Sequence, residues 1–378
     1  MVIFQTPEAT QAELEVIQEV ETIRKKLGYA LQTPKKWNGF LRRNLIAGAI
    51  QGSNTIEGYV ATFEDAVALV EGESVEGPSE EILAALMGYR EALTYIIQLA
   101  DDQDFAFNQE IVKALHYMML KYDHTKHPGR WRPGQNFVRK NDTGEIVYEP
   151  PEGSQVPQLM QAFVSDVAMG GQNIPIIIKA AMAHLNLVMI HPFSDGNGRM
   201  GRAVQTLVLA RDGVITPPFW SIEEYLGRRA TITEQYYAVL KEVGGNKWDP
   251  TRDARPWVRF CLNAHLQEAT RLQRRISEIQ KIWGEIESEL HKRKLPDRMI
   301  FAVYDATMGM RVKSARYRVH AELSAQVASR DLGILVREGL LVPQGKKRGT
   351  YYVRSAFLRD LRDRLREPKI QVQERLQI

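Results

Sequence analysis

His191, Asp195, Gly196, Asn197, Gly198, Arg199 and Arg202 all fall within twelve residues, in the stretch His191-Pro192-Phe193-Ser194-Asp195-Gly196-Asn197-Gly198-Arg199-Met200-Gly201-Arg202. His191 supplies an imidazole whose ordinary pKa lies near neutrality, which suits it to taking a proton. Asp195 is a hard oxygen ligand of the kind Mg2+ uses when it bridges one carboxylate and phosphate oxygens. Gly196 and Gly198 let the backbone approach a ligand closely, and Arg199 and Arg202, three apart, share a face of any helix that begins there. A loop that opens onto a helix N-terminus offers unpaired N–H groups and partial positive charge, so it binds anions. Each feature alone has an ordinary reading: a lone histidine is usually structural and a Gly-Asn-Gly usually a turn. Together they point to a phosphate cradle with a base and a metal carboxylate beside it.

Two helices must hold this loop. Upstream, Ile174 to Ile190 is a mostly apolar run long enough for a buried helix, and its Lys179, His184 and Asn186 argue against a membrane span. Downstream, Ala203, Val204, Leu207 and Val208 recur at helical spacing before Gly213 ends the pattern.

Taken whole, the stretch resembles the signature of the Fic family, His-x-Phe-x-(Asp/Glu)-Gly-Asn-Gly-Arg-x-x-Arg, at every specified position. The resemblance implies a protein adenylyltransferase that moves AMP from ATP onto a Tyr, Thr or Ser hydroxyl of a target protein or of the chain itself. By the same resemblance His191 is the base, Asp195 holds Mg2+, and Gly196, Asn197 and Gly198 cradle phosphates. Arg199 and Arg202 would bind the β/γ end, and Phe193 would anchor the loop in the core. The family's phosphorylating branch, like the Doc toxin, carries Asp-Ala-Asn-Lys-Arg where this chain has a glycine at Gly196, which places it in the AMP-transferring branch. Tyr237, in the run Tyr236 to Leu240, resembles a residue of the family's helix near the adenine. Two alternatives remain: removal of AMP by the same site, and a DNA-binding transcriptional regulator with a Fic regulatory core.

Two further stretches acquire meaning beside that loop. Ser53 and Glu57 are four apart and face the same way on a helix, with Gly58 following. The pattern (Ser/Thr)-x-x-x-Glu-(Gly/Asn) resembles the family's inhibitory helix, here about 45–58, in which the carboxylate pairs with Arg202 and competes with the γ-phosphate. Phe137-Val138-Arg139-Lys140 and Glu145-Ile146-Val147-Tyr148 flank Asn141-Asp142-Thr143-Gly144, which predicts a β-hairpin with a four-residue loop. It resembles the family's flap, where Phe137, Val138, Arg139, Ile146 and Val147 would register the target segment by strand addition.

The remaining sequence sets the frame. Its 378 residues, 44% hydrophobic and 25% charged, suit two or three globular domains. A single cysteine, Cys261, excludes an intrachain disulfide framework, and with no signal peptide or membrane span in view a cytoplasmic protein is expected. Of the net charge of +4, residues 291–378 carry 20 Lys/Arg against 9 Asp/Glu, so the rest is acidic. Leu323–Gly339 and the strands Leu340–Pro343 and Thr350–Val353, around Lys346-Lys347-Arg348, resemble a winged helix, able to meet DNA or protein. Ser324, Gln326, Ser329 and Arg330 would form its reading face. Broken heptads in the long helix after Arg255 offer a dimer seam. His116, His124 and His127 lack metal-ligand spacing and are assigned to turn or surface roles, and Ser221 to the cap of a helix from Ile222. The expected fold is mainly α: a Fic helical bundle with a β-hairpin flap, plus a small C-terminal winged-helix (α+β) domain. Its division is an N-terminal helical region 1–105, a catalytic core 106–250 (flap 130–151, loop 191–202), a connecting long helix 251–294 and a winged-helix domain 295–378.

Overall fold

The computed structural model describes residues 2–32, 37–75, 77–139, 143–169, 173–211, 221–368 and 374–378. These form two compact units, residues 1–270 with 372–378 and residues 271–371. The first unit takes in both the N-terminal helical region and the catalytic core of the sequence division.

Helices dominate the first unit: α1 (Gln11–Gln32), α2 (Asn38–Ile56), α3 (Phe63–Val70), α4 (Glu80–Leu99) and α5 (Gln109–Leu120) precede a small hairpin. The hairpin pairs β1 (Val138–Arg139) with β2 (Ile146–Tyr148), and α6 (Val156–Met169), α7 (Ile176–Ile190), α8 (Asn197–Ala210), α9 (Glu223–Gly227) and α10 (Ala230–Gly244) follow. The long α11 (Arg255–Lys292) starts in this unit. Caps explain several starts: Thr62 and Asp65 form a reciprocal capping box for α3, and the side chains of Ser79 and Asn108 accept from N3 of α4 and α5.

α7 is the centre, buried on nearly all sides and packed most closely on α8. Two of its polar residues, His184 and Asn186, are buried and hydrogen-bonded. Asn186 brackets the backbone of Phe4, accepting its N–H at 2.9 Å and donating to its carbonyl at 3.1 Å. Trp257 of α11 donates to the Ala181 carbonyl at 2.7 Å. Glu13 of α1, buried, takes both Arg255 and Arg259 at 2.9 Å, so α1 is tied to α11 by a fully paired carboxylate.

α2 lies against α9 and α4. The closeness to α9 depends on missing side chains: a Cβ on Gly52 would stand 2.2 Å from the Glu223 carbonyl oxygen, and one on Gly227 would stand 2.3 Å from that of Gly52.

Several expected boundaries shift. The hairpin is shorter than predicted and bulged between Val138 and Arg139, so Phe137 and Glu145 lie outside the strands, while Lys140, Asn141 and Asp142 lie outside the described residues. The turn expected at Thr216-Pro217-Pro218 also lies outside them. Ser221 does not cap α9; Ile222 holds that position, and the Ser221 hydroxyl instead accepts the Glu223 N–H at 3.3 Å.

In the second unit a single 3-10 turn, Asp297–Met299, leads into α12 (Ile300–Met308), then α13 (Ser314–Ala321), α14 (Ala325–Arg337), β3 (Leu341–Gln344), β4 (Tyr351–Arg354) and α15 (Ala356–Leu365). β3 and β4 pair antiparallel, Leu341 opposite Arg354 and Gln344 opposite Tyr351, and Val312 bridges to Tyr352. Asp331, fully buried, accepts from Arg298 at 2.7 and 3.0 Å and from the Tyr317 hydroxyl at 3.0 Å, locking α14 to its neighbours. α13 and α15 were not anticipated, because α13 is polar with almost no apolar periodicity and α15 is short and arginine-rich.

Two predictions follow from this packing. Gly52→Ala should lose about 1–3 kcal/mol through overpacking, read by chemical denaturation, whereas Gly284→Ala, whose Cβ would meet nothing within 4 Å, should lose none. Burial also pushes His116 down to about 4 and His184 and His265 to about 3, all neutral in the fold. Below the unfolded value near 6.5 the unfolded chain therefore binds protons that the native one does not, and stability falls with falling pH. The melting temperature should drop steadily from pH 6.5 to 5, each histidine withdrawing up to about 1.4 kcal/mol per pH unit; a flat profile over that range would contradict these burials.

Candidate active site

The loop between α7 and α8 is built from within. His191 closes α7 in the left-handed region, φ +51°, with its N–H on the Leu187 carbonyl at 3.0 Å. Phe193 is buried and stacks on His116, ring centroids 3.6 Å apart, with Trp131 at 4.9 Å on another side. The Asn197 side chain brackets the Phe193 backbone, accepting its N–H at 3.0 Å and donating to its carbonyl at 2.9 Å. That amide is therefore consumed in holding the loop, and any phosphate contact at Asn197 falls to its backbone at the start of α8. Gly196 takes φ +77° at the N-cap.

Two residues outside the motif fasten it. His116 accepts the Gly129 N–H on Nδ1 at 2.8 Å, which assigns its proton to Nε2, donated to the Asp195 carbonyl at 3.0 Å. Its expected turn or surface role is thus corrected: His116 is fully buried. Its place among Val112, Leu115 and Met119 on the apolar face of α5 was the available signal. Arg132, also buried, donates from Nε to the His191 carbonyl at 2.8 Å and from its terminal nitrogens to Gly134 and Pro151, while its backbone N–H meets the Pro192 carbonyl at 2.9 Å. Nothing in its local sequence distinguished it.

The loop leaves three groups for chemistry. His191 is half-buried, its Nδ1 is 3.2 Å from the Val188 carbonyl, and burial lowers it to about 4. The neutral ring then carries its proton on Nδ1 and a lone pair on Nε2. Asp195 accepts the Gly196 N–H on Oδ1 at 2.6 Å and the Lys126 ammonium on Oδ2 at 2.9 Å. Burial acts to raise its pKa, but Lys126 overrides this and holds it below the usual carboxylate range. Arg199 is 1% exposed, yet among the described residues its Nε and Nη1 have no hydrogen-bond partner, and its guanidinium lies 5.2 Å from the centre of the Tyr59 ring. Such orphaned donors beside a helix N-terminus fit an anionic ligand. The fit to a divalent metal is of the one-carboxylate kind: among the described residues no group of three or more acidic, histidine or cysteine ligands gathers, and Asp195 already faces a cation.

Arg202 is engaged by α2. Its Nε donates to the Ser53 hydroxyl at 2.9 Å, and its Nη2 to the Ser53 carbonyl at 3.0 Å and to Glu57 Oε1 at 2.7 Å. The end of α2 explains the delivery. Gly58 at φ +88° sends its N–H to the Thr55 carbonyl, and the Tyr59 N–H reaches the Asn54 carbonyl, both at 3.0 Å. This paired helix stop aims Glu57 at α8. The Glu57 oxygen comes so close to Gly198 that a Cβ there would stand 2.4 Å from it.

Behind Arg202 runs a buried polar chain that no motif announced. The Tyr236 hydroxyl, 3.5 Å from Arg202, lies 3.1 Å from His184 Nε2; His184 Nδ1 lies 2.7 Å from Gln205, whose amide reaches His265 of α11 at 3.2 Å. Tyr237, by contrast, is 48% exposed and donates to the Ile56 carbonyl at 3.2 Å, steadying the end of α2. In the flap, Phe137, Arg139 and Ile146 are exposed and Val138 and Val147 half-buried. Asn136 joins the base of the flap to the loop by donating to the Ser194 carbonyl at 3.2 Å.

The stretch that carries this arrangement has known relatives. The sequence profile of the Fic/DOC family matches residues 106–209. The protein adenylyltransferase Fic of Nematostella vectensis is 30% identical over 214 residues, 56% of this chain and 45% of that protein. That of Aedes aegypti is 29% identical over 208 residues, 54% of this chain and 37% of the relative. The chain thus spans less than half the length of either. Among solved structures, a Fic family protein from Desulfovibrio desulfuricans G20 has the same fold, with a TM-score of 0.58, 23% identity, and coverage of 93% of this chain and 99% of that one. Residues 134–508 of Caenorhabditis elegans Fic-1 align with a TM-score of 0.52 at 21% identity, over 68% of this chain and 70% of that one. The loop His191–Arg202 lies inside the matched stretch, so the part of the chain similar to the Fic/DOC family, residues 106–209, is the part that carries the candidate site.

Proposed function

We propose that this chain is a protein adenylyltransferase, moving AMP from ATP to a Tyr, Thr or Ser hydroxyl of a protein, itself included, and that Glu57 holds it off. The observation that carries the reading is the Glu57 carboxylate seated on Arg202, 2.7 Å away, beside the loop that bears His191, Asp195 and Arg199. The names of the curated relatives support the activity.

The chain's own residues supply the following. His191, neutral and tethered through Nδ1, presents Nε2 to the target hydroxyl and takes its proton as the oxygen attacks the α-phosphorus. The bond to pyrophosphate breaks as the new P–O bond forms. Arg199 has two nitrogens, unpaired among the described residues, to offer phosphate oxygens, and the N–H groups that open α8 add to them. Mg2+ on Asp195 would supply positive charge to the phosphates. Arg202 is unavailable while Glu57 occupies it, so ATP loses one clamp and productive alignment suffers. The exposed edge of the hairpin, Phe137 to Arg139 and Ile146 to Val147, registers an extended target segment through backbone bonds. Glu57→Gly should raise AMP transfer by about tenfold or more, since a charge-assisted pair is removed, and His191→Ala should lower it by about 10²–10⁴-fold. Transfer of label from α-32P ATP to protein, with γ-labelled ATP as the control, reads both. No gain in Glu57→Gly would remove the inhibitory role, and label arriving from the γ position would make the reaction phosphorylation.

For the second unit we infer nucleic-acid contact. The order α12, α13, α14, β3, β4 resembles a winged helix; Gln326, Ser329 and Arg330 are exposed on α14, and Lys346 and Lys347 between the strands. Ser324 is exposed and its hydroxyl also caps α14, and the Arg348 side chain lies outside the described residues. DNA retardation in gels should weaken as salt rises, and changing Lys346 and Lys347 to Ala should reduce the salt slope by about two. Unchanged retardation in that variant would refute the contact.

A further inference from the structure

Lys126 belongs to no motif, yet it touches the carboxylate on which the proposed chemistry depends. It ends the single 3-10 turn His124–Lys126 that follows α5, a turn started by Asp123, which accepts the Thr125 N–H at 3.0 Å. Its side chain is only 20% exposed, and the ammonium has three oxygen neighbours: Asp195 Oδ2 at 2.9 Å, the Tyr59 hydroxyl at 3.3 Å and Asp123 Oδ2 at 3.8 Å. The rings of Tyr59 and Tyr122 lie about it, their centroids at 6.0 and 5.8 Å. It is a cation enclosed on several sides, not a lysine trailing in solvent.

The two oxygens of Asp195 are not equivalent. Oδ1 is bonded to the amide of the next residue, Gly196, at 2.6 Å, which leaves Oδ2 as the oxygen that faces outward, and Lys126 is on it. A divalent ion arriving at Oδ2 meets a positive charge already there, and like charges a few ångströms apart repel. The ammonium has somewhere to go, because Asp123 lies within 3.8 Å.

Tyr59 adds a second connection. It is the residue after Gly58, held by the helix stop of α2 through its N–H on the Asn54 carbonyl at 3.0 Å. Its hydroxyl meets Lys126 and its ring lies under Arg199. The inhibitory segment therefore reaches the loop twice: Glu57 takes Arg202, and Tyr59 steadies the cation that takes Asp195.

We propose that Lys126 is a built-in counter-ion that keeps a divalent cation off Asp195, and that Tyr59 holds it there while α2 is docked. The inference rests on the reading of Asp195 as the metal carboxylate. Metal loading and docking of α2 then oppose each other, and by linkage each weakens the other. The Glu57 contact obstructs one end of the nucleotide seat and the Tyr59–Lys126 pair the other.

The test is binding of Mn2+ alone to the full chain, followed by electron paramagnetic resonance of the free ion, so that no turnover is needed. Lys126→Met should bind Mn2+ about tenfold more tightly than the unaltered protein, the scale of one charge-assisted bond. Tyr59→Phe, which keeps the ring and loses the hydroxyl, should tighten binding by a smaller factor. Lys126→Arg, which keeps the charge, should leave it near the starting value and serves as the check that the turn still folds. Asp195→Asn should abolish binding in both the parent and the Lys126→Met background. If Asp195→Asn abolishes binding while Lys126→Met leaves it unchanged or weaker, the counter-ion role is overturned and the metal reading stands. If binding survives Asp195→Asn, or is undetectable even in Lys126→Met, the metal reading fails and takes this inference with it.

Discussion

A guanidinium group inside a helical bundle is a liability unless something negative or polar meets each of its donors, and Arg202 is such a group, 1% exposed on α8. Ser53 and Glu57 meet it with a hydroxyl, a carbonyl and a carboxylate, from the last turn of α2 and the residue that caps it. Whatever displaces α2 must replace those partners, because an unpaired buried charge costs several kcal/mol. Phosphate oxygens have the right charge and geometry to do so. On the proposed function the site would have two acceptable occupants, its own helix or an anionic ligand, and the choice between them would follow from the cost of leaving Arg202 alone.

The loop can support such an exchange because its shape does not depend on the ligand. Phe193, His116, Asn197 and Arg132 spend their side chains on one another and on the loop's backbone. His116 in particular is a neutral donor and acceptor at once, which a protonated imidazole could not be, and burial keeps it neutral. The functional groups are thereby separated from the structural ones. His191, Asp195 and Arg199 sit on or beside a loop that is already formed, so under the proposed function little ordering would remain to be done.

The same economy appears around α2. Its packing on α9 needs bare backbone at Gly52 and Gly227, and its end needs a residue at positive φ, met by Gly58. A helix seated through backbone-to-backbone contact, and stopped by a paired cap, delivers Glu57 and Tyr59 to fixed points on α8 and on the turn after α5. Tyr237, exposed but bonded to the Ile56 carbonyl, steadies that end from α10.

The order of residues along the chain determined the helices around the loop, the loop itself, the shared face of Ser53 and Glu57 and the hairpin, because each rests on local spacing: apolar period, glycine position, or residues three and four apart on one face. It also determined which residue types could do chemistry at 191–202. Only the folded molecule decided which of them would be free to. Asn197 turned inward to hold Phe193, and Tyr236 rather than Tyr237 met Arg202. His116, Arg132 and Lys126, between 59 and 79 residues upstream of their partners, came to brace or block the loop. Spacing along one helix cannot report such pairings, because they arise where separate elements meet, and a histidine on an apolar face looks the same in sequence whether it packs or binds.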